Sequence, residues 1–288
     1  MKFEDIKVST KTIIAITNLE INISELFNYL EITKYIVKKK KRGRKKKDDV
    51  EDMNKDIEEG SIITLKYQDK LKGVDRKKKR NEITKRKYFR NALTVVLVLK
   101  DGKKNKLINF KVSKNGKFQI TGCKSVKHAE KTVQYIWEYI EKNDKIYKLK
   151  EPHFKIIFNT VMTNIDFNIG YYINRENLNK YINESTEYNS LLETSFGYTG
   201  VNIKIPIRQD LTKIQFPYII KKDGEWSRGE TDGYEYIKKK KRYNTFLAFH
   251  SGNIIMSGMI KELMEPDYNF FVKILNESRE LIREKLDI

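Results

Sequence analysis

The sequence predicts an α+β protein made of one unit used twice in tandem, and two internal displacements carry that prediction. Residues 116–122 read Gly-Lys-Phe-Gln-Ile-Thr-Gly and residues 252–258 read Gly-Asn-Ile-Ile-Met-Ser-Gly, 136 positions apart. The same shift sets Phe110 on Phe246 and Val112 on Ala248. Each segment is therefore an alternating strand entering a glycine turn, a β-hairpin used twice. Upstream, Ile21-Asn22 with Leu26, Tyr29 and Leu30 recurs as Ile173-Asn174 with Leu178, Tyr181 and Ile182, 152 positions on.

These segments read as short helices. Asn22 and Asn174 each offer a side-chain oxygen to the amides of a first turn, and Glu25 is placed to reach back to Asn22. A longer helix follows each hairpin. In the first, Ser125 is the expected N-cap for an apolar stripe of Val126, Ala129, Val133, Ile136 and Ile140. In the second, Pro266 suits the first turn, and Phe271, Ile274, Leu275, Leu281 and Ile282 form the expected buried face. The unit reads strand, short helix, strands, long helix, with one copy over residues 1–150 and another over 151–288.

The displacement changes from 152 to 136 because the copies carry insertions of different length, and insertions belong in loops. The first spans about residues 37–88. It opens with the basic run Lys38 to Lys47, turns acidic over Asp48 to Asp52, offers an added strand at Ser61–Tyr67 and ends near the basic stretch Arg76 to Arg80. The second spans about residues 206–243 and ends in Lys238 to Arg242. Both are expected to extend a basic surface beyond the folded body, the block around residues 38–52 without fixed structure when unbound.

With 59 basic and 39 acidic residues among 288, the formal charge is +20, which favours a polyanionic partner and salt-sensitive binding. Abundant Lys, Ile, Asn and Tyr beside scarce Ala, Pro and Gly also match what AT-rich coding sequence produces, so charge alone is weak support. Cys123 is the single cysteine, which excludes an internal disulfide, and His128, His153 and His250 lack metal-ligand spacing. No cluster of carboxylates, histidine and cysteine suggests an active site, so neither enzyme activity nor a cofactor is expected. The N-terminus lacks signal-peptide features and no apolar run is long enough to span a bilayer, so the expected setting is intracellular and soluble.

The segments Phe249-His250-Ser251-Gly252 and Met256-Ser257-Gly258, with the related Ile120-Thr121-Gly122-Cys123-Lys124, resemble the TATA-box-binding protein family. The match is closest to the divergent members encoded by giant DNA viruses and runs in the same order along nearly the whole chain. The resemblance implies a saddle: a curved antiparallel sheet whose concave face lies in the DNA minor groove, with helices on the convex face. It also implies a non-enzymatic initiation factor that binds AT-rich promoter DNA and bends it. Partners implied in the same way are a transcription-factor-IIB-like protein and RNA polymerase, met through Leu191–Gly197, where Glu193 is the only acid. For a viral member the setting is a cytoplasmic virus factory or the virion, otherwise the nucleus.

A·T edges in the minor groove offer only acceptors, so a sheet lying there needs apolar and small hydroxyl side chains, with aromatic wedges that unstack base steps. Carried over by the resemblance, the wedges are Phe249, Phe89 and Tyr198, while the 136 shift puts Ser113 where a fourth would stand. Val8, Asn159 and Val161 match groove contacts, Thr121 and Ser257 match paired hydroxyls, and Lys117 and Lys204 match phosphate contacts. Plainer readings stand beside these: the aromatics as core residues, Thr121 and Ser257 as turn-flanking hydroxyls, Asn159 as a local backbone partner, and the basic runs as solvated loops or an import signal. Arg42-Gly43-Arg44 is similar to the core of a minor-groove AT-hook without its following proline. The missing wedge and the basic insertions also fit a structural protein that coats nucleic acid without regard to sequence.

Overall fold

The structure, a computed structural model, describes residues 2–36, 54–75, 90–102, 104–193, 199–237 and 241–284. The basic run at 38–47, the stretch 76–80, and Phe89, residues 194–197 and Tyr198 lie outside these. In chain order the elements begin with β1 (Val8–Thr17), β2 (Leu19–Ile21), α1 (Ile23–Tyr29), β3 (Ile62–Tyr67), β4 (Lys70–Gly73), β5 (Ala92–Asp101), β6 (Lys104–Ser113), β7 (Lys117–Cys123) and α2 (Val126–Ile140). Then come β8 (Tyr147–Leu149), β9 (Phe154–Asn168), α3 (Arg175–Ser185), β10 (Asn189–Glu193), β11 (Gly200–Pro206), β12 (Gln215–Lys222), β13 (Glu225–Asp232) and α4 (Tyr234–Ile237). The last are β14 (Tyr243–Phe249), β15 (Asn253–Gly258), α5 (Glu265–Glu277) and α6 (Arg279–Ile282).

Two compact units result. The first comprises Ile13–Asn159 and Phe216–Thr231; the second comprises Met1–Thr12, Thr160–Gln215 and Asp232–Ile288. They differ from the contiguous divisions 1–150 and 151–288 for a packing reason. Phe3 and Ile6 enter the core of the second unit, where Phe3 meets the Tyr268 ring at 5.2 Å and Lys261 Nζ donates to the Ile6 carbonyl at 2.7 Å. The insertion at 206–243, expected as loop, instead makes the hairpin β12–β13, whose Tyr218–Lys221 pairs with Phe154–Ile157 of β9 inside the first unit. Trp226 of that hairpin sets its edge against Phe154 at 5.9 Å, and Phe154 stacks on Trp137 at 4.1 Å.

In the first unit the strands run β7–β6–β5–β3–β4, and in the second β10–β11–β14–β15–β9, with every registered pair antiparallel. Alternation sends one set of side chains inward. Leu93, Val95, Leu97, Phe110, Val112, Phe118 and Ile120 pack in one core with Leu26 of α1 and with Ala129, Val133, Ile136 and Ile140 of α2. Val201, Ile203, Phe246, Ala248, Ile254 and Met256 pack with Leu178 and Ile182 of α3 and with Phe271, Ile274 and Leu275 of α5. Each Val, Leu, Ile, Phe or Met among them contributes about 1.5–3 kcal/mol by leaving water.

The same hydrogen bonds recur at the sequence displacements. Thr17 N–H donates to the Gly116 carbonyl at 3.2 Å and Ile169 N–H to that of Gly252 at 3.1 Å. Ile21 donates to Lys114 and Ile173 to His250, both at 2.8 Å, while Asn22 donates to Ile146 and Asn174 to Ile282, both at 2.7 Å. Asn22 Oδ1 caps the Glu25 amide and Asn174 Oδ1 caps that of Asn177. Gly116 and Gly252 hold φ of +71° and +77°, and a Cβ on either would collide with a backbone carbonyl, so glycine is required at both turns.

Two helix expectations need correction. Ser125 stands at the N-cap of α2 in an extended conformation without a side-chain cap bond. Pro266 does sit in the first turn of α5, but α5 ends at Ser278, whose hydroxyl donates back to the Ile274 carbonyl at 2.8 Å. The break rotates the next turn, so Ile282 is buried in α6 while Leu281 is 62% exposed.

Candidate nucleic-acid interface

Because inward side chains alternate with outward ones, the register fixes which residues share the sheet face turned away from the helices. In the second unit three rows cross it. Leu191, Asn202, Leu247, Ile255 and Asp166 form one, and Asn189, Lys204, Thr245, Ser257 and Asn164 the next. Beyond them Gly200 is paired with Phe249. Phe249, Leu247 and Ile255 are partly exposed and none belongs to the core behind the sheet, which uses their neighbours Phe246, Ala248 and Ile254. Phe249 opens onto a cleft of about 620 Å³ with Ile255, Asn168 and Asp166.

Ser257 and Lys204 fall in one row as cross-strand neighbours of Thr245, and with Val161 they line a larger cleft of about 910 Å³. Lys204 is exposed. Arg242 Nε and Asn202 Oδ1, on residues of that cleft, are buried without a hydrogen-bond partner, while Asn202 Nδ2 donates to Glu193 at 2.8 Å. Val8 is placed differently from its expected groove-facing position. It is half-buried and packs against the core of the second unit.

In the first unit the corresponding rows are Lys66, Thr94, Lys111 and Gln119, then Thr64, Val96, Asn109 and Thr121. Thr121 is exposed and its hydroxyl donates to the Asn109 carbonyl at 3.0 Å. Lys117 is exposed at the start of β7. Asn159 is 7% exposed, with Oδ1 buried and lacking a partner. One edge of this face is covered by the chain itself, since Val96, Val98 and Ile63 pack under Tyr35 and Ile57.

Besides Lys66, which is nearly buried and pairs with Asp75 at 2.8 Å, sequence reasoning missed two charges on these faces. Lys111 stands where the 136 shift puts Leu247, and Asp166 ends the row of Ile255, so neither face is wholly uncharged. The shift itself contained the first of these. By register Ala92 opposes Ser113 as Gly200 opposes Phe249, so Arg90, two residues before Ala92, is the sequence counterpart of Tyr198, while Phe89 itself lies outside the described residues.

Burial pushes the Cys123 thiol up to about 12, with nearby Lys106 opposing. Burial opposes ionisation of Glu59, but the Lys100 amide, Lys131 and Tyr135 outweigh it and hold the carboxyl below its ordinary value. Among the described residues no group of three or more His, Cys, Asp or Glu is arranged to hold a metal, and no helix is long and apolar enough to cross a membrane.

No family model matches the chain. A protein described as uncharacterized protein 335L, of Invertebrate iridescent virus 6, is 23% identical over 233 residues, which cover 72% of this chain. The chain spans 66% of that relative's length, just under two thirds. Among solved structures, Methanococcus jannaschii TBP is similar with a TM-score of 0.48 and 11% identity, over 94% of this chain and 98% of that one.

Proposed function

We propose that the chain is a TATA-box-binding-protein-like initiation factor, two tandem copies of one repeat, that binds AT-rich duplex DNA through the minor groove and bends it. The observation that carries this reading is the second unit's outward face, where Phe249, Leu247 and Ile255 remain outside the core beside Thr245 and Ser257. A partly exposed apolar patch with flanking hydroxyls suits the floor of an opened minor groove, and Phe249 at its end is placed to unstack a base step at a cost of a few kcal/mol. The recurrence of the same hydrogen bonds in both units supports the tandem reading. A transcription-factor-IIB-like protein and RNA polymerase are the partners this function implies. Glu193, the one acid in the expected contact loop, is already engaged by Asn202.

Affinity for AT-rich, GC-rich and scrambled duplexes across a salt series tests the reading, with Phe249→Ala and a deletion of residues 38–47 alongside. Preference for the AT-rich duplex supports it. Lys111, Asp166 and Ser113 favour the second reading, sequence-indifferent coating, which predicts equal binding to all duplexes and sensitivity mainly to the deletion.

A further inference from the structure

The hairpin ends of the two units share their hydrogen bonds and carry opposite chemistry. In the second unit the end is Phe249, His250, Ser251 and Asn253, and no basic residue lines its cleft. In the first unit the matching residues are Ser113, Lys114, Asn115 and Lys117. The segment after the long helix follows suit. Since Asn22 bonds Ile146 as Asn174 bonds Ile282, Lys145 and Lys148 stand where the second unit has Leu281 and Glu284. Arg90 stands where the second unit has Tyr198.

These cations converge. Arg90, Lys114, Lys145 and Lys148 line one cleft of about 540 Å³ in the first unit. Lys150 and Ser113 join Lys114 in an adjoining cleft of about 570 Å³. Only Glu20 and Asp144 oppose these five cations among the lining residues. The Lys114–Glu20 pair is 3.4 Å apart with side chains 77% and 49% exposed, so it neutralises little in water. Asn22, Ser24, Asn91 and Tyr67 add hydrogen-bonding groups to the wall.

We propose that this cationic cleft is a phosphate clamp, gripping the backbone of duplex DNA beside the first unit's sheet face and replacing by charge the aromatic wedge that Ser113 and Arg90 do not supply. The proposal rests on the DNA-binding reading above. Phosphate contacts fix register without reading bases, whereas a wedge needs a step that unstacks easily. The chain then requires one flexible pyrimidine–purine step in its site, at the Phe249 end, and tolerates any step at the clamp.

The test measures affinity of the full chain for an AT-rich duplex from about 50 to 200 mM salt. It compares the wild type, a Lys114→Gln, Lys145→Gln, Lys148→Gln variant, and a charge-matched control, Lys127→Gln, Lys180→Gln, Lys213→Gln, at exposed positions outside the clefts. Three lost phosphate contacts reduce the log–log salt slope by about 2.7, so the wild type loses about 40-fold more affinity across that range than the clamp variant. The control keeps the wild-type slope. An unchanged slope in the clamp variant, or an equal fall in the control, overturns the clamp and leaves DNA binding standing. Failure of the wild type to bind any duplex overturns both.

Discussion

Gly116 offers a clean measurement of how the hairpin is seated. At φ +71° a Cβ would stand 2.4 Å from the Leu19 carbonyl oxygen and 2.5 Å from Thr17 Oγ1. Gly102, in the β5–β6 turn at φ +63°, has nothing within 4 Å of the same atom. Replacing either by alanine costs the left-handed backbone, about 1–2 kcal/mol. Only Gly116→Ala must also displace packed backbone, for which overpacking adds about 1–3 kcal/mol. The expected losses are therefore about 1–2 kcal/mol for Gly102→Ala and about 2–5 kcal/mol for Gly116→Ala. Urea unfolding followed by tryptophan emission reads this directly, because both tryptophans of the chain, Trp137 and Trp226, lie in the first unit. Equal losses for the two variants would refute the close approach of the turn to β2.

Four further outcomes follow from particular contacts. Trp226→Ala removes the edge contact with Phe154 and the Lys221 cation over its ring, and should raise amide exchange across residues 216–231 by opening the hairpin locally, at about 1–3 kcal/mol. Arg228→Ala leaves Glu130, whose side chain is 11% exposed, without its 2.7 Å partner, and should loosen the same segment on hydrogen exchange. Leu281→Ser should change the urea midpoint negligibly, whereas Ile282→Ala should cost about 2–4 kcal/mol. Cys123 is favoured as the neutral thiol in the folded chain, so its stabilising contribution is full below the unfolded thiol value near ~8.5 and is lost as pH rises toward about 12. Iodoacetamide should leave the native thiol unlabelled at about pH 8, and Cys123→Ala should lose stability less steeply above about pH 9.

Much of the fold was legible because its signals are local. Asn22 and Asn174 cap where their spacing placed them, and Gly116 and Gly252 turn where the shared heptapeptides placed them. What failed was long-range or cumulative. The strand hairpin β12–β13 reads as loop in the sequence although Asp223-Gly224, at φ +50° and +85°, is a two-residue turn signal. Its docking on Phe154 depends on residues some 70 positions away, which no local pattern reports. Leu281 continued a helical period that Ser278 interrupts. At the interface, the Gly252 turn fixes the register of Ser257 opposite Thr245, whereas Lys204 reaches the same row through the pairing of β11 with β14, which no local signal reports.

DNA bending reads out whether Phe249 enters the minor groove. An AT-rich duplex labelled at both ends for energy transfer should draw its ends together on binding the wild type. Phe249→Ala should relax that bend while the urea midpoint stays unchanged. A bend that persists in the variant, or a stability loss of the ~3–5 kcal/mol expected from emptying a core aromatic site, would make Phe249 a core residue and not a wedge.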